Sequence, residues 1–338
     1  PWAKGPQGVM GVEFDFVIVG AGSAGCVLAN RLSADPATTV CLIEAGGRDR
    51  NPAIHLPFGL AALGKFTSLS WGYDTAPQAH LKDRSLFWPR GKIMGGSSSV
   101  NAMIYARGMR ADYDGWADLG ATGWDFDSVL PYFIKAEDNV RGSDAMHGIG
   151  GPLSVSDPID PNPLSRAFVQ AGAQVQVPLT DDFNDGEDGE GIGLYQTTTR
   201  RGLRASSARS YLSDEVQARD NLHIMTKQHV QRITFDGRRA SGIELADQTV
   251  TARREVLISA GAINSPQLLL LSGVGPAEEL RALGIDVVCD APGVGKGLAD
   301  HLDIIVQHHA KTGVGMGYNF DMPLRGLNWA RLWLSRRG

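Results

Sequence analysis

Near its start the chain switches between two hydrophobic periods. Residues 14–19 read FDFVIV, a β-branched and aromatic run ending at Gly20, which predicts a buried strand. Behind it Ala24, Val27, Leu28 and Leu32 recur at helical spacing on one face. Residues 38–43, TTVCLI, predict a second buried strand. Strand, helix and strand within about thirty residues make a βαβ unit, hence a parallel pair joined by a right-handed crossover.

Residues 46–99 carry no sustained period and are rich in Gly, Pro and Trp, which predicts a lid or a loop that covers a ligand. Residues 113–137 read as helix in pieces, interrupted by Gly120, Gly123 and Pro131. The acidic, Gly-rich stretch 181–193 predicts a solvated turn, and its spacing is not that of an EF-hand loop. Strands are expected over 221–235, 241–245 and 255–259, a short helix over 265–272, and another strand over 285–289. Residues 324–334 have helical spacing of apolar and Arg positions, read as a core-packing helix with a membrane-surface helix as the alternative.

Composition narrows the class. With 338 residues, 43% of them hydrophobic, the chain can bury a sizeable core in two domains or one domain with insertions. Forty-two glycines without a strict period point to turns and close backbone approaches. A net charge of -5 with no long basic run excludes nucleic acid as the main partner. No apolar stretch approaches the roughly 20 residues that span a bilayer. Residues 1–11 show no initiator Met and no signal-peptide core, and read as a leader or cloning remnant. Cys26, Cys41 and Cys289 match no zinc spacing and lie in apolar segments, so buried free thiols, a cytoplasmic location and no metal site are expected.

The chemistry begins at Gly20, Gly22 and Gly25, the GAGSAG pattern directly after the first strand. The first glycine permits the tight turn, the second a close backbone approach to a pyrophosphate, and the third close packing of helix on strand. The amino end of the helix that follows suits an anion. Glu44 ends the second strand 19 positions beyond Gly25, where its carboxylate can accept from both ribose hydroxyls. It opposes a 2'-phosphate by about 4 kcal/mol at an effective dielectric of about 20. This unit fits an ADP moiety and does not by itself separate NAD from FAD.

Residues 90–108, RGKIMGGSSSVNAMIYARG, resemble the first signature of the glucose–methanol–choline (GMC) oxidoreductases. Residues 261–275, GAINSPQLLLLSGVG, resemble the second, and GVGKGLADHL at 293–302 a third recurring stretch. FDFVIVGAGSAGCVLANRLS and the CLIEAG around Glu44 match as well, while Met94 stands where the first signature usually has Leu, Ile or Val. The resemblance implies an α/β fold: a Rossmann-like FAD-binding domain, a parallel sheet with helices, over residues 14–157 and 220–310. It implies part of an α+β substrate domain and cap over 158–219 and 311–338.

For the site, the resemblance implies FAD contacts from Gly20, Gly22, Ser23, Ala24 and Gly25 and from Glu44 and Ala45. Arg90, Gly91, Gly95 and Ser98 lie in the segment against pyrophosphate and flavin, and Asn101, Ala102, Met103 and Ile104 meet the isoalloxazine. Val230 meets the adenine through its backbone, Ala260 and Gly261 line the ADP side, Trp71 and Ser265 add contacts, and Asp300 with His301 lies near the flavin. Relatives that attach FAD covalently carry a His where this chain has Val100, so non-covalent FAD is expected.

The implied reaction is oxidation of a primary alcohol to an aldehyde by hydride transfer to flavin N5, with oxygen, a quinone or another acceptor taking the electrons. The family's catalytic His pair is expected beyond Gly338, and a second chain carrying that part is an expected partner. His301, beside Asp300, is the nearest substitute base, though the resemblance gives it a packing role. His308 and His309 read as strand residues, and His147 as a loop residue without a catalytic partner. Hydroxynitrile lyase, fatty acid photodecarboxylase and a flavin-binding remnant remain alternative uses of the scaffold.

Overall fold

The computed structural model describes residues 12–57, 67–159, 161–186 and 191–301. The leader expected at 1–11, the helix at 324–334, His308, His309 and the 311–338 segment lie outside the described residues. The rest forms two compact units, one from residues 12–54, 67–101 and 206–301, the other from residues 102–205 with the short piece 55–57.

The first unit is built on a six-stranded mixed sheet. In chain order its strands are β1 (Val12–Val19), β2 (Val40–Glu44), β3 (Leu222–Thr226), β4 (Arg232–Asp236), β5 (Arg239–Glu244) and β6 (Thr249–Ile258). Their spatial order is β4-β5-β6-β1-β2-β3. β6, β1, β2 and β3 run parallel, and β5 and β4 return antiparallel at one edge. Helix α1 (Ser23–Leu32) crosses from β1 to β2, as the βαβ pattern requires.

The unbroken apolar runs of β1 and β2 have a simple cause: the sheet has a core on both faces. Ile18, Val40 and Leu42 enter a cluster with Cys26 and Ala29 of α1 and with Ala208 and Tyr211 of α2 (Ser207–Tyr211). Their neighbours Val17, Val19, Cys41 and Ile43 point the other way, to Ile233, Ile243, Val250 and Leu268 of α3 (Gly261–Leu271). The strand period of two thus feeds two cores.

Several sequence expectations are corrected. Val27, Leu28 and Leu32 of α1 pack on the core as their spacing implies, around the buried Gly25, Cys26 and Ala29, but Ala24 is exposed. The helix lies so close to β1 that a Cβ on Gly25 would stand 1.9 Å from the Gly20 carbonyl oxygen. Gly25→Ala therefore forces backbone apart, and a loss of about 3 kcal/mol is expected from urea unfolding. α3 begins at Gly261, four residues before the expected 265. Residues 285–288 form no strand, because Ile285 N–H closes the preceding helix on Leu280 O and only Cys289–Asp290 pairs, with Val274–Gly275. Cys26 and Cys41 are buried free thiols, but Cys289 is half-buried.

Compactness divides the chain after Asn101 and after Ala205, whereas the resemblance implies boundaries at 157 and 220. Residues 206–219 join the first unit because Asn30 Nδ2 donates to Tyr211 O (2.7 Å) and Arg219 Nη1 to Asn30 O and Ser33 Oγ (2.7 and 2.8 Å). In the second unit, strands Glu137–Asn139 and Leu153–Val155 pair in parallel, and Tyr105 N–H donates to Gln196 O. Pro131 does not break the helix Phe126–Ala136. A proline there removes one hydrogen bond, and this helix keeps a cap from Asp125 to Ser128 N–H and a buried Phe126 beneath Arg110.

Candidate functional site

At the carboxyl ends of β1, β2 and β6 the first unit holds a cavity of about 680 Å³. Ligands of open parallel sheets bind at that edge, where the crossover helices present their amino ends. Gly20, Gly22, Ser23, Ala24, Glu44, Ala45, Trp71, Arg90, Gly91, Val230, Ala260, Gly261 and Ser265 all line it.

The three glycines of the turn have different reasons to be glycine. Gly20 has φ +97°, and a Cβ on it would stand 2.6 Å from Ser259 O. Gly25 is the packing contact described above. Gly22 is under neither constraint: its φ of -78° and ψ of -161° suit any residue, and a Cβ would meet only Ser259 O at 3.8 Å. The fold has room for a Cβ at position 22, and glycine there leaves the cavity wall open at the start of α1. α1 starts there without a side-chain cap, leaving first-turn N–H groups for an anion.

Glu44 ends β2 and is 6% exposed. Ala21 N–H donates to its Oε2 at 2.9 Å and Gly46 N–H to its Oε1 at 2.7 Å. Burial pushes its carboxyl pKa up, while those two N–H groups and the charge of Lys92 pull it down. A carboxylate has about four acceptor positions, so each oxygen keeps one for a hydroxyl donor entering the cavity.

The 91–99 turn packs directly on the start of α1. Gly95 N–H donates to Ala21 O at 2.7 Å, and a Cβ on Gly96, which has φ +53°, would stand 2.8 Å from Gly22 Cα. Ser97, not Ser98, faces the cavity. Ser98 Oγ donates to Gly95 O (2.6 Å) and accepts from Ser207 N–H (2.9 Å), and Ser99 Oγ donates to Met94 O (2.7 Å). Asn101 is exposed, its N–H donating to Ser97 O.

Trp71 tilts against His229 (5.4 Å) and stacks on Tyr73, whose hydroxyl donates to Asn264 Oδ1 at 2.7 Å. Asp300 accepts from Trp88 Nε1 (2.7 Å) and pairs with Arg90 (3.5 Å), contacts that hold its pKa below the usual carboxylate range. His301 donates its own N–H to Asp300 Oδ1. Neither Asp300 nor His301 lines the cavity. Gly96 and Ser97, within the first signature segment, do line it; sequence reasoning missed Gln228, His229, Ser259, Ala262 and Asn264, which line it too. Ala262 and Asn264 lie inside the GAINSPQ motif and were legible there; Gln228 and His229 follow Lys227, whose positive φ no local pattern announces.

Ala102, Met103 and Ile104 belong to the second unit. Met103 is buried with φ +62°, its carbonyl accepting from Thr198 N–H at 2.8 Å, while Ile104 is exposed. His147 lies in a loop, as expected, but is built into a polar cluster. It is buried, with Nδ1 3.1 Å from Glu137 Oε1 and Nε2 2.8 Å from Asp182 Oδ2, the latter a close approach rather than an aligned hydrogen bond. Asp182 accepts from Asn184 N–H at 2.8 Å and lies 3.8 Å from Arg141 Nη1, so the acidic stretch is more than a solvated turn. Among the described residues no group of three His, Cys, Asp or Glu side chains suits a metal ion, and no helix is long and apolar enough to cross a membrane.

A family model described as GMC oxidoreductase matches residues 14–303. The chain is 49% identical over 321 residues to an alcohol dehydrogenase [acceptor] of Pseudomonas putida, covering 93% of this chain and 58% of that one. It is 44% identical over 336 residues to the mitochondrial choline dehydrogenase of Homo sapiens, covering 95% and 56%. Pyridoxine 4-oxidase from Mesorbium loti superposes with a TM-score of 0.77 at 39% identity, covering 82% of this chain and 55% of that one. The chain spans little more than half the length of the curated relatives it matches.

Proposed function

The chain belongs to the GMC oxidoreductase family, and from that membership we propose that it holds FAD, non-covalently, in the cavity of the first unit, as the cofactor-bearing part of an enzyme that oxidises a primary alcohol. The observation that carries this reading is Gly22, a glycine that the fold does not require, at the mouth of an uncapped helix and on the wall of the cavity. The buried Glu44 supports it, since an acceptor-only group with spare lone pairs suits a ribose and opposes a 2'-phosphate.

The residues present fit the group. First-turn N–H groups of α1 and the Gly95–Gly96 turn would hold the pyrophosphate, Glu44 the ribose, and Trp71, His229 and Val230 the remaining wall. FAD, when bound, supplies the hydride acceptor for the alcohol carbon, and oxygen, a quinone or another acceptor receives the electrons. The chain's own part is to bind, orient and shield. Val100 carries no nucleophile, which supports non-covalent attachment. The first unit then acts as the cofactor domain and the second as part of the substrate domain. Cys26, Cys41 and Cys289 are all free thiols, which supports a reducing, cytoplasmic compartment.

The test uses the protein purified with its flavin. Acid precipitation is expected to leave all yellow colour in the supernatant, and anaerobic primary alcohol in the dark to bleach the flavin of the whole enzyme. Colour retained by the pellet rejects the non-covalent mode. Failure of a panel of alcohols to bleach the flavin rejects the oxidase or dehydrogenase reading, in favour of a non-redox use of the scaffold.

A further inference from the structure

The first turn of α3 brings Asn264 to the wall of the cavity, close to the glycine turn. The chain entering α3 packs on that turn: a Cβ on Gly20 would stand 2.6 Å from Ser259 O and 3.0 Å from Ala260 Cα. Ser265, in the same turn of helix, is already spent, because its Oγ accepts from Ala260 N–H at 3.1 Å. Asn264 is only half spent. Its Oδ1 accepts from the Tyr73 hydroxyl at 2.7 Å. Its Nδ2 makes no hydrogen bond among the described residues, and it is not sealed off from solvent.

The hydroxyl reaches Asn264 from a ring that is itself held in place. Tyr73 pairs with Trp88 in a short antiparallel ladder, and its ring lies 9° from the plane of Trp71 at a centroid distance of 5.9 Å. Trp71 N–H donates to Arg90 O at 2.9 Å, and Lys92 Nζ lies 4.6 Å from the centre of the Trp71 ring.

We propose that Asn264 is a binding residue of the dinucleotide site, giving an amide N–H to an acceptor atom on the ADP half of FAD, and that Tyr73 is the positioning residue that turns the amide that way. The inference rests on the FAD reading above.

An asparagine amide has two unlike ends, an oxygen that only accepts and a nitrogen that only donates. With the oxygen held by Tyr73, the nitrogen is the end left for a ligand. That end complements Glu44. The carboxylate offers acceptors to the ribose hydroxyls, and the amide offers a donor to the phosphate oxygens or ring nitrogens of the same ADP moiety. A phenylalanine at position 73 would keep the ring on Trp71 and lose only the group that orients the amide.

The experiment measures the Kd of FAD by flavin fluorescence, and of ADP by competition, on the flavin-stripped protein at about pH 8, where an introduced aspartate is ionised. The variants are Asn264→Leu, Asn264→Asp, Tyr73→Phe and the double variant Tyr73→Phe with Asn264→Leu. Asn264→Leu removes the donor at similar volume and is expected to weaken FAD and ADP alike, by about tenfold. Asn264→Asp keeps an oxygen for Tyr73 and turns a charged acceptor on the ligand, so its loss should exceed that of leucine, at about 30-fold or more. Tyr73→Phe should weaken both ligands about threefold and add nothing in the Asn264→Leu background. Melts of the ligand-free variants should stay within about 2 °C of the parent.

Parent-like binding by Asn264→Asp overturns the proposal, because the amide would then serve the ligand through its oxygen. Parent-like binding by Asn264→Leu, or a loss for FAD without one for ADP, overturns it as well. A Tyr73→Phe loss that persists beside Asn264→Leu overturns the positioning role, since Tyr73 would act through Trp71 alone. Absence of saturable FAD binding by the parent protein is a different result: it overturns the FAD reading, and the inference with it.

Discussion

Gly22→Val is expected to leave the fold standing and remove its FAD. The backbone at Gly22 is one that valine adopts, and the added Cβ meets only an ordinary contact, 3.8 Å from Ser259 O. Exchanging glycine for valine at a helix N-cap costs about 1 kcal/mol, which in a protein of this size lowers Tm by about 1–2 °C. The ligand side is less forgiving. The two new methyl groups would occupy the space in which a pyrophosphate must approach the first turn of α1. A loss of at least about 100-fold in FAD affinity is expected, or about 2.8 kcal/mol. Flavin fluorescence titration and a thermal melt on the same sample separate the two effects. Gly20→Val is the contrast: with φ +97° and a clash at 2.6 Å on backbone, it should fail in the melt as well. If Gly22→Val retains FAD as the parent does, the phosphates do not lie at the start of α1 and the proposed site is wrong.

The second large effect is expected far from that turn, at Glu137. Its side chain is completely buried. Arg107 Nη2 donates to Oε2 at 2.9 Å, Gly148 N–H to Oε2 at 3.0 Å, and Asn139 Nδ2 to Oε1 at 2.9 Å, with His147 Nδ1 3.1 Å away. Arg107 is as enclosed as its partner, 3% exposed, and stacks over Phe133 and Tyr105. Glu137→Ala leaves that guanidinium buried without its counter-charge, along with an orphaned backbone N–H at Gly148. A destabilisation of about 3–5 kcal/mol is expected from urea unfolding. The double variant Arg107→Leu with Glu137→Leu should recover much of the loss, since an apolar pair of similar volume avoids the desolvation of two charges. A change under about 1 kcal/mol in Glu137→Ala would mean that water or a relaxed loop satisfies Arg107, and the cluster would not hold this unit together.

The outcome at individual residues shows where sequence reasoning reaches. Gly20, Gly22, Gly25 and Glu44 were legible because strand, turn, helix and strand follow one another without interruption, and each role depends on neighbours a few positions away. Ser98 was misplaced for the opposite reason. Three consecutive serines carry the same donor, and only the turn's geometry, with Gly95 and Gly96 at positive φ, decides that Ser97 faces the cavity while Ser98 and Ser99 tie the turn to itself. The neighbours of His147 were not legible because Glu137 and Asp182 lie 10 and 35 positions away along the chain and are brought to it by separate segments. Pro131 read as an interruption on local grounds, and a cap and a buried aromatic outweighed it.

By itself, then, the sequence determined the βαβ unit, the glycine turn after β1, the carboxylate at the end of β2 and the family. Those are written in short spacings, and backbone sterics and side-chain period translate them with little help. The tertiary structure alone decided which distant segments complete the cavity, with Trp71, His229, Ser259 and Asn264 meeting across the strand order β6-β1-β2-β3. It also decided that Lys92 comes to rest on Trp71 and that a buried ionic cluster forms around Glu137. Such contacts depend on which strands become neighbours, a choice made by burying two cores at once and recorded in no single stretch of the chain.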